Sequence, residues 1–297
     1  MPLRDFALLA AMCLVWAFSN VLSKHVVSGL DVPPLFYAAA RFALVALCTF
    51  PFLWPAPRPL WRLTAVALLM GGANFALMFV GLKYSTPSSA AVVLQLGMPM
   101  TTILSIFFLG ERVRWRRGLG IALTFAGAMA VMWDPHGFSL SFGLSLVAAA
   151  AFMGSLGAVL MKQMEGVKPF TYQAWVGWTS VWPLMALSLW LEPGGAAQAM
   201  AAGWQFYAAV VFSALVVSLV AHTVYYQLIQ RYEANLISAL TLMTPLATIA
   251  LGVALLGDPF GPRMLIGSAV ALAGVLIIAL RGNRVMPLLL AMRNRAQ

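Results

Sequence analysis

The sequence predicts an all-α integral membrane protein, with ten transmembrane helices arranged as two inverted five-helix repeats. Three observations predict it. Hydrophobic residues make up 62% of the 297 and charged residues 9%, for a mean hydropathy of +0.91. Apolar runs long enough to cross a bilayer recur almost without pause. And one phrase is written twice, half a chain apart.

A soluble domain carries about 25% charged residues. A chain with so few polar groups cannot cover its own surface with them, so its surroundings are lipid. Crossing the hydrocarbon takes roughly 20 apolar residues. Runs of that kind fall at about 6–23, 35–54, 61–82, 88–109, 118–133, 140–161, 170–190, 205–230, 236–256 and 264–281. The links are short and leave no room for a soluble domain. The boundary between the third and fourth spans, 83-KYSTP-87, is the faintest. The start of the chain shows no convincing cleavage site, so the first span reads as retained.

The net charge of +10 raises the question of nucleic acid. Its distribution answers in favour of lipid. With the N-terminus in the cytoplasm, the inner segments hold Arg4, Arg58, Arg62, Arg112, Arg114, Arg116, Arg117, Lys162, Lys168, Arg231, Arg281, Arg284, Arg293 and Arg295. The outer loops hold Lys24, Lys83 and Arg263, and Arg41 lies inside a span. Inner loops of membrane proteins carry such an excess of Lys and Arg, so both termini are expected in the cytoplasm of a bacterial-type inner membrane. The arginines of 111-ERVRWRR-117 read as an anchor beside anionic lipid. Cys13 and Cys48 both fall within spans, and no disulfide is expected.

The duplicated phrase is 99-PMTTILSIFFLGERVRWRRGLGIALTFAG-127 beside 245-PLATIALGVALLGDPFGPRMLIGSAVALAG-274. Pro99 matches Pro245, Gly110-Glu111 matches Gly257-Asp258, and Gly120 and Gly127 match Gly267 and Gly274. Upstream, Tyr84 matches Tyr232 at an offset of 148, and Lys24 matches Lys162. Trp61 and Trp204 each introduce the third span of their half. Five spans is an odd number, so the second copy enters from the opposite side. The first repeat is 1–134, the second is 135–281, and 282–297 is a basic cytoplasmic tail. Inverted repeats place a binding site near the midplane, between the halves.

Each feature has a structural and a functional reading. Gly-acid at the end of a run suits a helix stop; the alternative is a gating ion pair, Glu111 with Arg112 or Arg114 and Asp258 with Arg263. Pro99 and Pro245 remove a donor inside their spans, which gives either a packing kink or a hinge. The glycines, seven apart, lie on one helix face and allow close helix packing. Polar residues are costly in lipid, and they form stripes: Trp16, Asn20 and Lys24; Asn74 with Met78; Gln95, Pro99 and Thr102; Ser218, His222 and Tyr226; Thr241, Thr244 and Thr248. Singly, each suits an interhelical hydrogen bond; together, they suit a mildly polar cavity. Amides and hydroxyls can grip an ammonium or carboxylate, and Met and Trp can hold an apolar group. Arg41 either caps carbonyls in the bundle or binds a carboxylate. Trp54, Trp61, Trp115, Trp133, Trp190 and Trp204 lie near span ends as interface belts. Trp175, Trp178 and Trp182 can face either lipid or cavity.

The phrase "PMTTILSIFFLGERV…GLGIALTFAG" with its degenerate copy, 15-VWAFSNVLSK-24 and Arg41 in "AARFAL" resemble the drug/metabolite transporter superfamily, in its EamA-like ten-span branch. Within that branch the chain is most similar to the YddG-type exporters of aromatic and other amino acids. The resemblance implies a secondary transporter that exports amino acids, aromatic or apolar ones favoured, by alternating access and possible uncoupled uniport. A multidrug or other metabolite exporter of the same fold is the alternative, and a membrane channel is the reading from another class. All eight acids lie at span ends or in loops, which disfavours cation–proton exchange. His222 is the one group in the stripes that titrates near neutral pH. There is no Walker loop, H-E-x-x-H or G-x-S-x-G, so no enzyme, cofactor or metal is expected. The expected partners are a small-molecule substrate and membrane lipid, with oligomeric state left open.

Overall fold

The computed structural model describes residues 2–109, 115–134, 139–161, 164, 167–232, 237 and 240–279. The Gly110-Glu111 stop, Arg112, Arg114, Lys162 and the tail lie outside the described residues, as does the side chain of Tyr226.

The described chain is helical nearly throughout. Helix α1 is Leu3–Lys24 and continues through a π-helical turn, His25–Gly29. Helix α2 is Pro34–Thr49. Helices α3, Leu60–Leu68, and α4, Asn74–Lys83, are joined without a gap by a π segment, Leu69–Ala73. Then come α5, Pro87–Leu94; α6, Gly97–Leu109; α7, Trp115–Met132; α8, Phe142–Met161; and α9, Pro169–Leu191. A short α10, Gly195–Ala201, precedes α11, Trp204–Val211, which runs through a π segment, Phe212–Ala221, into α12, His222–Arg231. Helix α13 is Met243–Leu256 and α14 is Pro262–Ala279.

Among the described residues, seven helices are long and apolar enough to cross a membrane; Gly118–Met132 and Met243–Leu256 are apolar but shorter. The faint boundary at 83–87 is real: α4 stops at Lys83, and Thr86 caps α5 by accepting from Ser89 N at 3.2 Å. Three details differ from the sequence reading. The link before Trp204 contains α10. The connection after α7 contains a two-residue antiparallel pair, Trp133–Asp134 with Ser139–Leu140. And the fourth span is broken: α5 ends at Leu94 and α6 begins at Gly97. An apolar run shows where lipid can be crossed; it does not show whether the backbone crosses in one piece.

The core lies along the middle of the bundle, around Tyr37, Phe42, Leu63, Leu82 and Leu184. The outside is apolar too: Phe107, Leu189 and Trp190 are 79%, 71% and 77% exposed. An apolar patch of this kind is costly in water and ordinary in lipid. Trp54, Trp61, Trp115, Trp133, Trp190 and Trp204 are all exposed, as the belt reading expects. Trp178 and Trp182 also face outward, whereas Trp175 keeps its Nε1 buried. Cys13 and Cys48 are free thiols.

The heaviest packing is between α7 and α14, then between α2 and α9. The glycines explain the first. A Cβ added at Gly120 would lie 2.8 Å from the Gly274 carbonyl oxygen; one at Gly127 would lie 2.5 Å from that of Gly267. Two helix backbones can meet so closely only where side chains are missing.

Candidate functional site

The polar residues divide into groups according to which helices meet. Helix α1 packs on α13, on the π segment before α12 and on α12 itself. Trp16 and Asn20 are one turn apart on α1. The Trp16 ring lies 5.3 Å from His222 and 5.5 Å from Tyr225, centre to centre. Asn20 Nδ2 donates to Thr248 Oγ1 at 3.4 Å. His222 Nδ1 lies 2.7 Å from the Val217 carbonyl. A carbonyl only accepts, so Nδ1 carries the proton and Nε2 is left as an acceptor. Trp16 Nε1 is buried with no partner among the described residues. The Thr244 hydroxyl is buried beside the Cys13 thiol, a weak donor, and makes no hydrogen bond of ordinary geometry.

Ser218 bonds to α2. Its Oγ accepts from Arg41 Nε at 3.2 Å and Nη2 at 3.0 Å, and donates to the Ser213 carbonyl at 3.0 Å. Below it, the Tyr37 and Ser213 hydroxyls are 2.6 Å apart. Asn74 Nδ2 donates to the Ala150 carbonyl of α8 at 2.7 Å. Met78 is core, at 7% exposure. Gln95, in the turn after α5, donates to Ala91 O of α5 at 3.5 Å, and Thr102 to Met98 O of its own helix at 3.0 Å. Thr241 stands in the turn before α13. Lys24 is a cap: its Nζ donates to the carbonyls of Leu82 and Lys83, at the C-terminus of α4. Trp16, Asn20 and His222 therefore share one cluster, and among the described residues Asn74, Met78, Gln95 and Thr102 make no hydrogen bond or ring contact with it.

Pro99 and Pro245 are each the third residue of a helix that starts after a turn, Gln95-Leu96 before α6 and Thr241-Leu242 before α13. The first N–H groups of a helix have no partner within it, so proline removes nothing there. Met98 N donates to Gln95 O at 3.1 Å, and Thr244 N to Thr241 O at 2.9 Å. Pro99 thus marks a break between α5 and α6, Pro245 sits in the first turn of α13, and neither kinks the helix it lies in.

Thr248, named in the stripe with Thr241 and Thr244, joins the cluster, and so does Tyr225, which the stripes pass over. Counting every fourth residue from Ser218 through His222 leads to Tyr226 and passes over Tyr225. That count assumes an unbroken α-helix. The π segment Phe212–Ala221 interposes a different period and turns Ser218 and His222 toward different helices. Asp258 is also placed differently from the ion-pair reading. Its Oδ2 accepts from Ser88 N at 3.0 Å and Ser88 Oγ at 2.5 Å, while Arg263 donates to the Trp133 carbonyl. The helix-stop reading holds at Gly257, which closes α13 in the left-handed conformation at φ 67°.

The EamA-like transporter family matches residues 5–133 and, separately, residues 141–280. The chain belongs to this family. It is a multi-pass membrane protein of a transporter family and not an enzyme. Among its relatives, a probable amino-acid metabolite efflux pump of Escherichia coli is 27% identical over 289 residues, 93% of this chain and 95% of its own. One of the same description from Salmonella typhimurium is 26% identical over 287 residues, 93% and 95% of the two chains. A crystal structure at 18% identity superposes with a TM-score of 0.64, covering 93% of this chain and 96% of its own. That likeness is one of fold.

Proposed function

We propose that the protein is a ten-helix, inverted-repeat carrier of the inner membrane, with both termini cytoplasmic, that exports amino acids, aromatic or apolar ones favoured, by alternating access. The observation that carries the mechanism is that irregular backbone recurs at matched places. The Tyr84-to-Tyr232 offset of 148 takes Ala73 to Ala221, the last residues of the two π segments, and Asn74 to His222, which open the next helices. The proline offset of 146 takes Gln95 to Thr241, the turns that precede α6 and α13. Interrupted helices at matching places in two halves are a mark of carriers, whose substrate sites lie beside them.

The glycines support the inversion. Gly120 and Gly127 match Gly267 and Gly274 in sequence, yet they touch crosswise, Gly120 with Gly274 and Gly127 with Gly267. A two-fold axis between antiparallel α7 and α14 produces that pattern. The two separate family matches support the duplication. The substrate class rests on the cluster of Trp16, Asn20, His222 and Thr248, with the orphan Trp16 Nε1 as a free donor, and on relatives described as amino-acid metabolite efflux pumps.

Counterflow of labelled amino acids into liposomes containing the purified protein tests the proposal, with a cationic dye and a sugar phosphate as controls. Saturable exchange of aromatic or apolar amino acids is expected. Exchange of only the dye or the phosphate discards the substrate assignment, and single-channel currents discard the carrier.

A further inference from the structure

Arg41 lies within α2 at 2% exposure. A guanidinium carries five N–H donors. Here one N–H of Nε and one of Nη2 converge on Ser218 Oγ, and the guanidinium carbon stands 4.3 Å from the centre of the Phe75 ring. The opposite edge, formed by Nη1 and the second N–H of Nη2, makes no hydrogen bond described among these residues, and none of the ion pairs described there involves Arg41. Nor does Arg41 cap a helix: it reaches no backbone carbonyl among them. A buried charge left in this state is costly unless something completes it.

The second half supplies an independent observation. Pro34 and Tyr37 align with Pro169 and Tyr172 at an offset of 135, which sets Arg41 opposite Val176. Val176 is 5% exposed and packs against Gly71. The scaffold therefore closes at that place with a valine, and the arginine is an addition made in one half only. Its position adjoins the cluster above: Ser218 is one turn from His222, and Arg41 lies within electrostatic reach of His222.

We propose that the open edge of Arg41 receives the carboxylate of the transported molecule. Ser218 Oγ holds the fork from one edge and Phe75 covers a face, leaving the Nη1–Nη2 edge shaped for bidentate contact with a carboxylate. This rests on the transport reading above and narrows it: the protein selects substrates with a free carboxylate over their amides.

The test is liposome counterflow of phenylalanine, phenylalanine amide and 3-phenylpropionate by the full chain and by Arg41→Met, Arg41→Lys and Ser218→Ala. The wild type is expected to exchange the acid at least about tenfold faster than the amide, the factor that one well-placed charged contact gives. In Arg41→Met that ratio falls to near one. Arg41→Lys keeps the charge but loses the fork, and raises the half-saturation for the acid. Equal exchange of acid and amide by the wild type, or an unchanged ratio in Arg41→Met, overturns the assignment and leaves amino-acid export standing. Exchange of 3-phenylpropionate without phenylalanine keeps Arg41 as the carboxylate site and discards the amino-acid reading; exchange of none of the three discards both. If Arg41→Met does not run as a single species on size exclusion, Ser218→Ala decides. A raised half-saturation for the acid alone supports the site, and unchanged half-saturation overturns it.

Discussion

Two carboxylates, Glu192 and Asp258, close the same end of the bundle, and each does so on a helix far away in sequence. Glu192 accepts from Leu35 N and Phe36 N, both at 2.9 Å, and from Ser188 Oγ at 2.9 Å. Asp258 takes Ser88 N. The helices they serve, α2 and α5, both begin with proline, at Pro34 and Pro87. Free N–H groups at a helix start attract negative charge, and in a membrane little water is present to satisfy them. Glu192→Ala is expected to lower stability by about 1–3 kcal/mol, the range for losing a cap that is also charged. Glu192→Gln, which keeps one acceptor oxygen, should cost less. Thermal unfolding in detergent reads both, and equal melting temperatures for all three proteins would refute the capping role. The sequence marks Asp258 as a helix end and offers the nearby Arg263 only as an alternative ion-pair partner. Its partner, Ser88, is 170 positions away, and no local spacing reports such a contact. The same limit hid the Arg41–Ser218 contact, although both residues stood out as polar groups in apolar runs.

At the scale of elements, what was legible was periodic or repeated, and what was missed was local irregularity. The glycine pairs were visible as a seven-residue spacing, and the structure gives that spacing its partner. An added methyl at Gly127 would lie 2.4 Å from Ala271 N and 2.5 Å from Gly267 O, backbone atoms that cannot swing aside, whereas at Gly118 it would meet nothing within 4 Å. Gly127→Ala is therefore expected to destabilise the protein by about 1–3 kcal/mol or more through overpacking. Gly118→Ala should be neutral or slightly stabilising, since alanine is the better helix former. Melting curves that ranked the two the other way would show that α7 and α14 do not approach as described. Composition does not locate a helix start, so from sequence alone the prolines read as kinks. Placed in a first turn, Pro99 and Pro245 cost no hydrogen bond, but Pro99 keeps the break between α5 and α6 open. Alanine at 99 would bring back an N–H able to bond Gln95 O and let α5 run on into α6. Pro99→Ala and Pro245→Ala should then change stability by no more than about 1 kcal/mol while slowing counterflow. Unchanged exchange rates in both would remove these turns from the transport cycle.

At the scale of the whole molecule, the inversion makes a demand that ordinary packing does not. If the halves are related by an axis in the membrane plane, equivalent loops must face opposite sides. The loop between α2 and α3 contains Arg58 and ends before Trp61; the loop between α9 and α11 contains Gly194 and ends before Trp204. The skew of Lys and Arg puts the first in the cytoplasm, so the second must be outside. Arg58→Cys and Gly194→Cys, each in a chain whose Cys13 and Cys48 are replaced by serine, separate the possibilities. A membrane-impermeant maleimide added to intact cells should label position 194 and not position 58, and permeabilised cells should label both. Labelling of neither position in intact cells would mean that the two halves run the same way through the membrane. That would contradict the crosswise glycine contacts, which require α7 and α14 to run antiparallel, and remove the basis for alternating access around a central axis. Labelling of position 58 alone would keep the inversion and reverse the orientation, with the Lys24 and Asp258 end then facing the cytoplasm. The expected outcome is the one that places the glutamate and aspartate caps outside and most of the arginines inside, where anionic lipid holds them.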